Sequence, residues 1–305
     1  MKVEKIIKLI INTIEYLMIL VIFYLFYMIQ PINTKRIIYI PKGNVNYIIK
    51  KLQNDDIDIT NFDKYTLLLL GTPQSGWIDL KFNKMTKFDF LDKLTKSKAA
   101  LKKITIIPGE TDYFIYKQIS KKMGFSDMKC NFIPEGFLYP NTYYLPYGFD
   151  IKEVCVYLYK VSLLEHKKIS KKIFGYWNFN KYYKYLIIAS IIQKEAGNKK
   201  EMKIISSVIY NRLKKHIRLQ MDGSLNYAQY SHTKITSQMI KNDNTKFNTY
   251  KYYGLPNKPV CVSSQEAIIA SIFPAHTDYL YFVRVNGIHK FSKTYKKHLL
   301  NIHRN

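Results

Sequence analysis

The chain has 305 residues, 47% of them hydrophobic, which is enough for one large core or two ordinary ones, so most of it should fold. Its 48 Lys and Arg against 22 Asp and Glu give a formal net charge of +26, which suits nucleic acid, an anionic membrane or an acidic polymer as partner. Most of the excess is lysine spread along the chain beside abundant Ile, Asn and Tyr, which indicates compositional bias, and without a nucleic-acid-binding motif no nucleic acid is expected.

The first predicted element is a transmembrane helix over residues 6–29. This mostly apolar segment is longer than the roughly 20 residues that a spanning helix needs. Lys8, Asn12 and Glu15 interrupt its first half, whereas residues 16–29 carry no charge. A cleaved signal peptide is the alternative, but no small-x-small cleavage pattern follows. A buried core helix is a second alternative.

The charges around this segment predict its orientation. Lys2 and Lys5 lie in residues 1–5, and the positive-inside rule makes that stretch a cytoplasmic tail. Lys35 and Arg36 follow the segment and weaken the bias. We therefore expect a single-pass protein of the inner (plasma) membrane, with everything after residue 30 on the periplasmic, extracytoplasmic side.

Two segments, 37–52 and 104–123, repeat one pattern. Each is a β-rich run ending in Ile-Pro, then a turn with glycine, then a helix with apolar residues on one face. This predicts a small α+β module over residues 36–103 and a larger mixed α+β domain over residues 104–305. The overall fold class is therefore α+β.

The central stretch contains a lone acid at the end of an apolar helix. Residues 186–192 are almost all apolar, Glu195 follows, and Ala196-Gly197 is a stop signal. Burial and the negative end of the helix dipole should both raise the pKa of this carboxyl, which would suit a general acid. The alternative is a glutamate that points to solvent at a frayed helix end.

Several other chemistries are excluded by missing motifs. The sequence has no GxSxG elbow, no phosphate-binding loop, no GxGxxG turn and no HExxH pair. Cys130, Cys155 and Cys261 are far apart and odd in number, which predicts neither a disulfide framework nor a zinc site and leaves the redox compartment open. No metal and no cofactor are expected.

Seven blocks of the chain resemble the endolytic murein transglycosylases, the MltG or YceG-like family, in the family's order. They are PEGFLYPNTY (134–143), ASIIQKE (189–195), VIYNRL (208–213), LQMD (219–222), NTY with GLP (248–256), TDYLYFV (277–283) and HKFSKT (289–294) with His298. They lie within residues 104–305, and the resemblance implies that this stretch is the catalytic domain. It also implies that residues 36–103 form a LysM-like module.

The resemblance also implies an activity: cleavage of the β-1,4 bond between N-acetylmuramic acid and N-acetylglucosamine in nascent glycan strands, with a 1,6-anhydro product that ends strand elongation. The family typically has Glu-Lys-Glu-Thr where this chain has Gln193-Lys194-Glu195-Ala196. Glu195 inherits the catalytic role if the second acid is the essential one. Association with peptidoglycan synthases is a further implication.

Further residues are candidates for binding the glycan. Glu135 and Asp222 are the candidates for a second carboxylate. Side chains that could hydrogen-bond the amide and hydroxyl groups of the glycan are Asn211, Gln220, Asn248 and Tyr250. Each of these has a structural role as its alternative. Arg212 is expected to pair with an internal acid or with the peptide stem of the glycan.

Two rival functions remain at this point. The first is a non-catalytic peptidoglycan-binding or scaffold protein of the envelope machinery, which the glutamine at position 193 keeps open. The second is an ordinary wall hydrolase that uses water and two carboxylates. The sugar ends that the protein produces distinguish the three functions, because they are anhydro ends, reducing ends or none.

Overall fold

The structure is a computed structural model that describes residues 2–303. The chain forms two compact units. The first contains the residues up to Leu101 together with Pro146–Gly148, and the second contains Lys102–Leu145 and the residues from Phe149 onward. The mixed α+β class and the apolar N-terminal helix that the sequence predicts are both present.

Helix α1 (Lys2–Met28) is one continuous helix of 27 residues. Its stretch Val3–Met28 has a mean hydropathy of 2.2 and is long and apolar enough to cross a membrane. The 18-residue window with this hydropathy has no residue buried inside the protein, so the core-helix alternative is wrong. Near its end, Tyr24 and Tyr27 hydrogen-bond Thr66 and Asp63 of the first unit.

The rest of the first unit is a small α+β assembly. Its elements are β1 (Pro31–Asn33), β2 (Ile37–Ile40), α2 (Val45–Asn54), α3 (Asp63–Leu70), β3 (Gly76–Asp79), β4 (Lys84–Thr86) and α4 (Lys87–Lys96). Strand β1 pairs antiparallel with β4, and β2 pairs antiparallel with β3. Buried Ile, Leu and Phe side chains from these elements form one core. The resemblance of this unit to a LysM module stays a prediction.

The second unit holds most of the helices. Its elements are β5 (Leu101–Thr105), α5 (Asp112–Met123), β6 (Thr142–Pro146), α6 (Ile151–Phe174), α7 (Phe179–Glu195), α8 (Lys199–Lys214), α9 (Ser237–Asn242), α10 (Gln265–Ile272), β7 (Tyr281–Val285), β8 (Ile288–Ser292) and α11 (Tyr295–Ile302). Strands β5 and β6 pair, as do β7 and β8, and Asn286-Gly287 makes the hairpin turn between the last two.

Helix α7 is the centre of the second unit. It is buried on nearly every face from Leu186 to Ile192 and packs against α8 and α10. Asn178 caps its start by accepting a hydrogen bond from the Lys181 amide, and Asn198 caps α8 in the same way. The turn between the two helices is only three residues long, which fixes the direction of the end of α7.

The sequence predicted no disulfide framework, and this prediction is wrong for two of the three cysteines. Cys130, in the loop after α5, and Cys155, in α6, form a disulfide with a Cα–Cα distance of 5.6 Å. The pair is 25 residues apart in sequence, and only the return of the chain through α6 brings it together. Cys261 is free and buried.

Candidate active site

The end of α7 opens into a pocket of about 540 Å³. Its walls come from the end of α7, the segment after α8, the β7–β8 hairpin and α11. The lining residues are Lys194, Glu195, Arg212, Leu219, Gln220, Met221, Asp222, Tyr250, Tyr281, Phe282, Val283, Arg284, His289, Tyr295, His298 and Ile302. We call it the Glu195 pocket.

The Glu195 carboxyl is held by a backbone amide. The Gly223 N–H donates to Glu195 Oε1 at 2.7 Å. Position 223 has to be glycine, because a Cβ there would lie 2.6 Å from the Cβ of Lys194 and 2.9 Å from Glu195 Oε1. Sequence reasoning missed this glycine, and the only signal for it was its place directly after the family block that ends at Asp222.

The surroundings of Glu195 raise its pKa to about 7. Burial, which disfavours the anion, is the largest cause. The Gly223 amide acts in the opposite direction by stabilising the carboxylate, and the negative charge of Asp222 raises the pKa again. A carboxyl with this pKa is present in both protonation states at neutral pH and can serve as acid and as base.

Asp222 and Tyr250 lie beside Glu195. The Tyr250 hydroxyl donates to Asp222 Oδ1 at 2.6 Å. Burial, and then this bond to Asp222, raise the pKa of Tyr250 well above its usual value. Tyr250 therefore stays a neutral hydrogen-bond donor that fixes the direction of the Asp222 carboxylate.

Arg212 forms part of the pocket wall. Its Nε donates to the Leu280 carbonyl at 2.6 Å, and its Nη1 donates to the Leu219 carbonyl at 2.7 Å. The guanidinium lies over the Tyr281 ring at 5.1 Å. Among residues 2–303 no acid pairs with Arg212, so the internal partner expected from sequence is a set of backbone carbonyls. These bonds hold the segment before Asp222 against the start of β7.

Gln220 also lines the pocket. Its φ of +49° is uncommon for a residue with a side chain, and its amide donates to the Thr249 carbonyl at 3.1 Å. Arg212 Nη1 lies 3.4 Å from Gln220 Oε1. Glu195, Gln220, Asp222 and Tyr250 are thus the predicted site residues that the structure brings together.

The structure places the other three predicted residues elsewhere. The Asn211 side-chain amide donates to the carbonyls of Thr277 and Tyr279, and Asn248 is fully buried and donates to the carbonyls of Ile240 and Asp243 at the end of α9. Glu135 lies next to Asp112 at a different cavity. None of these three lines the Glu195 pocket.

Gln193 points away from the pocket. Its Oε1 accepts a hydrogen bond from the Ser264 amide at 3.1 Å, at the start of α10. Residues 193 and 195 are two apart on a helix, so their side chains lie on different faces. The position at which this chain departs from the family pattern therefore contributes no atom to the pocket lining.

Two histidines and a further acid complete the surroundings. His298 lines the pocket and stacks on Tyr281 at 5.3 Å, and its buried Nδ1 has no hydrogen-bond partner within residues 2–303. Glu201 accepts from the Gly197 amide at 3.1 Å and lies 2.9 Å from His289 Nδ1, which braces the turn after Glu195. Sequence reasoning missed this brace because its members are 88 residues apart.

Within the described part of the chain, no three or more His, Cys, Asp or Glu side chains are grouped so that they could hold a metal ion. What the Glu195 pocket offers instead is one carboxyl with a raised pKa, a second carboxylate, and donors from Tyr250 and from the backbone of Gly223. This arrangement can transfer protons and orient a polar substrate.

Comparisons with known proteins relate this geometry to a family. A protein from Bacillus subtilis strain 168 named endolytic murein transglycosylase is 34% identical over 171 residues, 54% of this chain and 46% of the relative. One of the same name from Streptococcus pneumoniae strain R6 is 29% identical over 210 residues, 64% of this chain and 36% of the relative. The matches therefore span less than half of these relatives.

A solved structure shows the same fold. The crystal structure of a Listeria monocytogenes protein described as yceG-like superposes with a TM-score of 0.57 at 23% identity, covering 87% of this chain and 97% of that one. The sequence profile of the YceG-like family matches residues 38–304, which is most of the chain. The protein belongs to the YceG-like family.

Proposed function

We propose that this protein is a lytic transglycosylase that acts on peptidoglycan, with Glu195 as the acid and base. The observation that carries the proposal is a single carboxyl with a pKa near 7 in a pocket of about 540 Å³. The names of the Bacillus and Streptococcus relatives support the substrate class. The bond cleaved would be the β-1,4 linkage from N-acetylmuramic acid to N-acetylglucosamine.

The proposed reaction has two proton transfers at one side chain. Protonated Glu195 gives its proton to the glycosidic oxygen as the bond to C1 of the muramic acid breaks. The resulting carboxylate takes the proton of the C6 hydroxyl of the same sugar, whose oxygen attacks C1 and closes a 1,6-anhydro ring. No water is consumed, and Glu195 ends protonated as it began.

The pocket supports both halves of this cycle. The Gly223 N–H stabilises the carboxylate between the two steps, whereas burial and Asp222 favour its return to the protonated form. Tyr250, Asp222 and Gln220 would hydrogen-bond the sugar, because their side chains line the same pocket. Since Gln193 is outside the pocket lining, the glutamine at this position does not argue for a non-catalytic scaffold.

Hydrolysis is the second candidate, and Asp222 favours it. Glycosidases that use water or a covalent intermediate need two carboxylates at the scissile bond. Asp222 is close enough to Glu195 to raise its pKa, and Tyr250 fixes the Asp222 carboxylate. A water molecule activated by Asp222 would leave reducing ends instead of anhydro ends.

We further propose that α1 anchors the protein in the inner (plasma) membrane with both units on the extracytoplasmic side, where nascent glycan strands and their synthases are found. The length and composition of α1 support the anchor. The Cys130–Cys155 disulfide supports the extracytoplasmic location, because disulfides persist outside the reducing cytosol.

Product analysis tests the proposal. The full-length protein in detergent is incubated with peptidoglycan, and mass spectrometry identifies the sugar ends. Wild type should give 1,6-anhydro ends and Glu195→Gln none, while Glu165→Gln, the same change at an acid on α6, should behave as wild type. Reducing ends would favour hydrolysis, and equal activity of Glu195→Gln would overturn the catalytic role of this residue.

A further inference from the structure

Helix α3 of the first unit exposes large apolar side chains on one face. Its opposite side is buried against the rest of the unit. The exposed side chains are those of Phe62, directly before the helix, and of Tyr65, Leu68 and Leu69, which are 55%, 56%, 61% and 87% exposed. We call these four residues the outer face of α3. A helix that packs with one face usually has polar residues on the other, so this face indicates a partner surface.

Two tyrosines of α1 fix the direction of α3. The Tyr27 hydroxyl donates to Asp63 Oδ2 at 2.9 Å, and the Tyr24 hydroxyl lies 3.1 Å from Thr66 Oγ1. One turn back along α1 therefore corresponds to about one turn forward along α3. The two helices run in opposite directions at this contact. The leucines at the end of α3 therefore lie on the N-terminal side of Tyr24, towards the middle of α1.

Buried charges hold this contact in place. Lys87 and Asp63 are both buried, and Lys87 Nζ lies 3.9 Å from Asp63 Oδ2 and 4.1 Å from the centre of the Tyr27 ring. Asp63 Oδ2 also accepts from the Thr60 amide at 2.6 Å. Because these bonds meet at one carboxylate, α3 is held in one position relative to the end of α1.

The length of α1 brings this contact to the surface of a bilayer that α1 spans. A hydrocarbon core takes about 20 helical residues, and counting these back from Met28 ends at Leu9, directly after Lys8. Tyr24 then lies about one turn inside the hydrocarbon. A core that began after Glu15 would place Tyr24 deeper still. In both placements the end of α3 reaches the bilayer.

The charges around α3 agree with this placement. Three aspartates lie in residues 55–58, before the end of α3 that points away from the membrane. Residues 65–78, which include the leucines, contain no Asp, Glu, Lys or Arg. Between the two stretches, Lys64 Nζ lies over the Tyr65 ring at 4.9 Å. Lysine and tyrosine side chains are typical of the polar boundary of a bilayer, so charge decreases in the direction in which α3 descends.

We propose that the outer face of α3 inserts into the extracytoplasmic leaflet of a phospholipid bilayer beside α1, with Leu68 and Leu69 deepest. This inference rests on the proposed anchoring by α1. The first unit then has two membrane contacts, and the second one fixes the rotation of α1 about its own axis.

Quenching by lipids tests the contact. Full-length Leu69→Cys is labelled with a nitrobenzoxadiazole fluorophore and placed alone in phospholipid nanodiscs that carry a nitroxide on the acyl chain. The native cysteines stay unlabelled, because two form the disulfide and Cys261 is buried. The label should be quenched at least fivefold more strongly than one at Leu101→Cys, an exposed leucine of β5. Equal quenching at both positions, or none at position 69, would overturn the proposal.

A label on α1 separates this proposal from the anchoring on which it rests. Phe23→Cys replaces an exposed residue of α1 and should be quenched if α1 spans the bilayer. Quenching at position 23 without quenching at position 69 would overturn the α3 contact alone. No quenching at position 23 would overturn the anchor and, with it, this proposal.

The descent of α3 also predicts an order of depth. A nitroxide on the lipid headgroup should quench a label at Phe62→Cys more than one at Leu69→Cys, and a nitroxide deep in the acyl chain should do the reverse. The opposite order would contradict the direction of α3. All the labelled variants should melt at the wild-type temperature, since the side chains replaced are exposed.

Discussion

Glu195 combines two features that act on its pKa in opposite directions, a poorly solvated position and a direct hydrogen bond from a backbone amide. The apolar run before it and the stop signal after it made the acid predictable from sequence. Its partner was not predictable, because Gly223 reaches it from 28 residues further along the chain. Likewise Asn211 and Asn248 lie in family-like motifs, yet their side chains donate to backbone carbonyls, of Thr277 just before β7 and of Ile240 in α9.

The raised pKa of Glu195 predicts a pH profile. Protonated Glu195 starts the reaction, so kcat/KM for glycan cleavage should fall tenfold per pH unit above about pH 7. The profile is measured with soluble glycan strands between pH 5 and 9, about two units on either side of the pKa of Glu195. Glu165→Gln should give the same profile, and a flat profile up to pH 9 would contradict the assignment.

The same pKa has a consequence for stability. The folded-state value of about 7 is above the ordinary 4.5, so ionisation of Glu195 destabilises the folded state as pH rises from 4.5 through 7. At pH 8 the free energy of unfolding of Glu195→Gln should therefore exceed that of wild type by about 1–2 kcal/mol. This figure is reduced for partial solvent screening of the carboxyl. At pH 4 the two should be equal in urea denaturation, and a less stable variant at pH 8 would disagree with this reading.

Gly223 allows the close approach of two segments. Gly223→Ala should lower kcat at least tenfold and destabilise the fold by about 1–3 kcal/mol, because the added methyl group overlaps Lys194 and Glu195. Gly124→Ala is the control, since a Cβ there meets no atom within 4 Å and only the backbone strain of its positive φ remains. Wild-type kcat in Gly223→Ala would mean that the contact with Glu195 is dispensable.

At the scale of elements, the site depends on how α7 and α8 are joined and on what holds the segment after α8. The apolar run and the stop signal predicted where α7 ends, since these signals are local. The path of residues 217–223 could not be predicted, because it depends on Arg212 bonds to the carbonyls of Leu219 and Leu280. Such bonds leave no periodic pattern in the sequence.

Substitution of Arg212 therefore tests whether its bonds to backbone carbonyls stabilise the pocket wall. Arg212→Met keeps the bulk of the side chain but leaves several buried carbonyls unpaired, and it should destabilise the protein by about 2–4 kcal/mol. Urea denaturation measures the change. Arg218→Met is the matched control, because Arg218 is exposed and should change stability by less than about 0.5 kcal/mol.

The disulfide ties the loop after α5 to α6. Reducing Cys130–Cys155, or replacing both cysteines with serine, should lower the free energy of unfolding by about 3 kcal/mol, since the bond closes a loop of 25 residues. Urea denaturation with and without dithiothreitol measures this. The double variant should show no response to the reductant, and an equal response in wild type and variant would argue against the bond.

At the scale of the whole molecule, sequence predicted the mixed α+β class and the apolar first helix, because hydrophobic length and β-turn-helix patterns are read directly from residue types. The family also emerged from the sequence, through motifs in a fixed order. The burial of Asp112, Tyr116 and Ser120 did not, because in the sequence these residues look like the polar face of an ordinary surface helix.

The connection between α1 and the first unit is very short. Two residues separate Met28 from β1, and Tyr24 and Tyr27 reach back from the helix to Thr66 and Asp63. If α1 spans the bilayer as proposed, no flexible linker separates the membrane helix from the rest of the first unit. A lipid bilayer thicker or thinner than the helix would then pull on these two tyrosine contacts, so hydrophobic mismatch would enter the folding stability of the first unit directly.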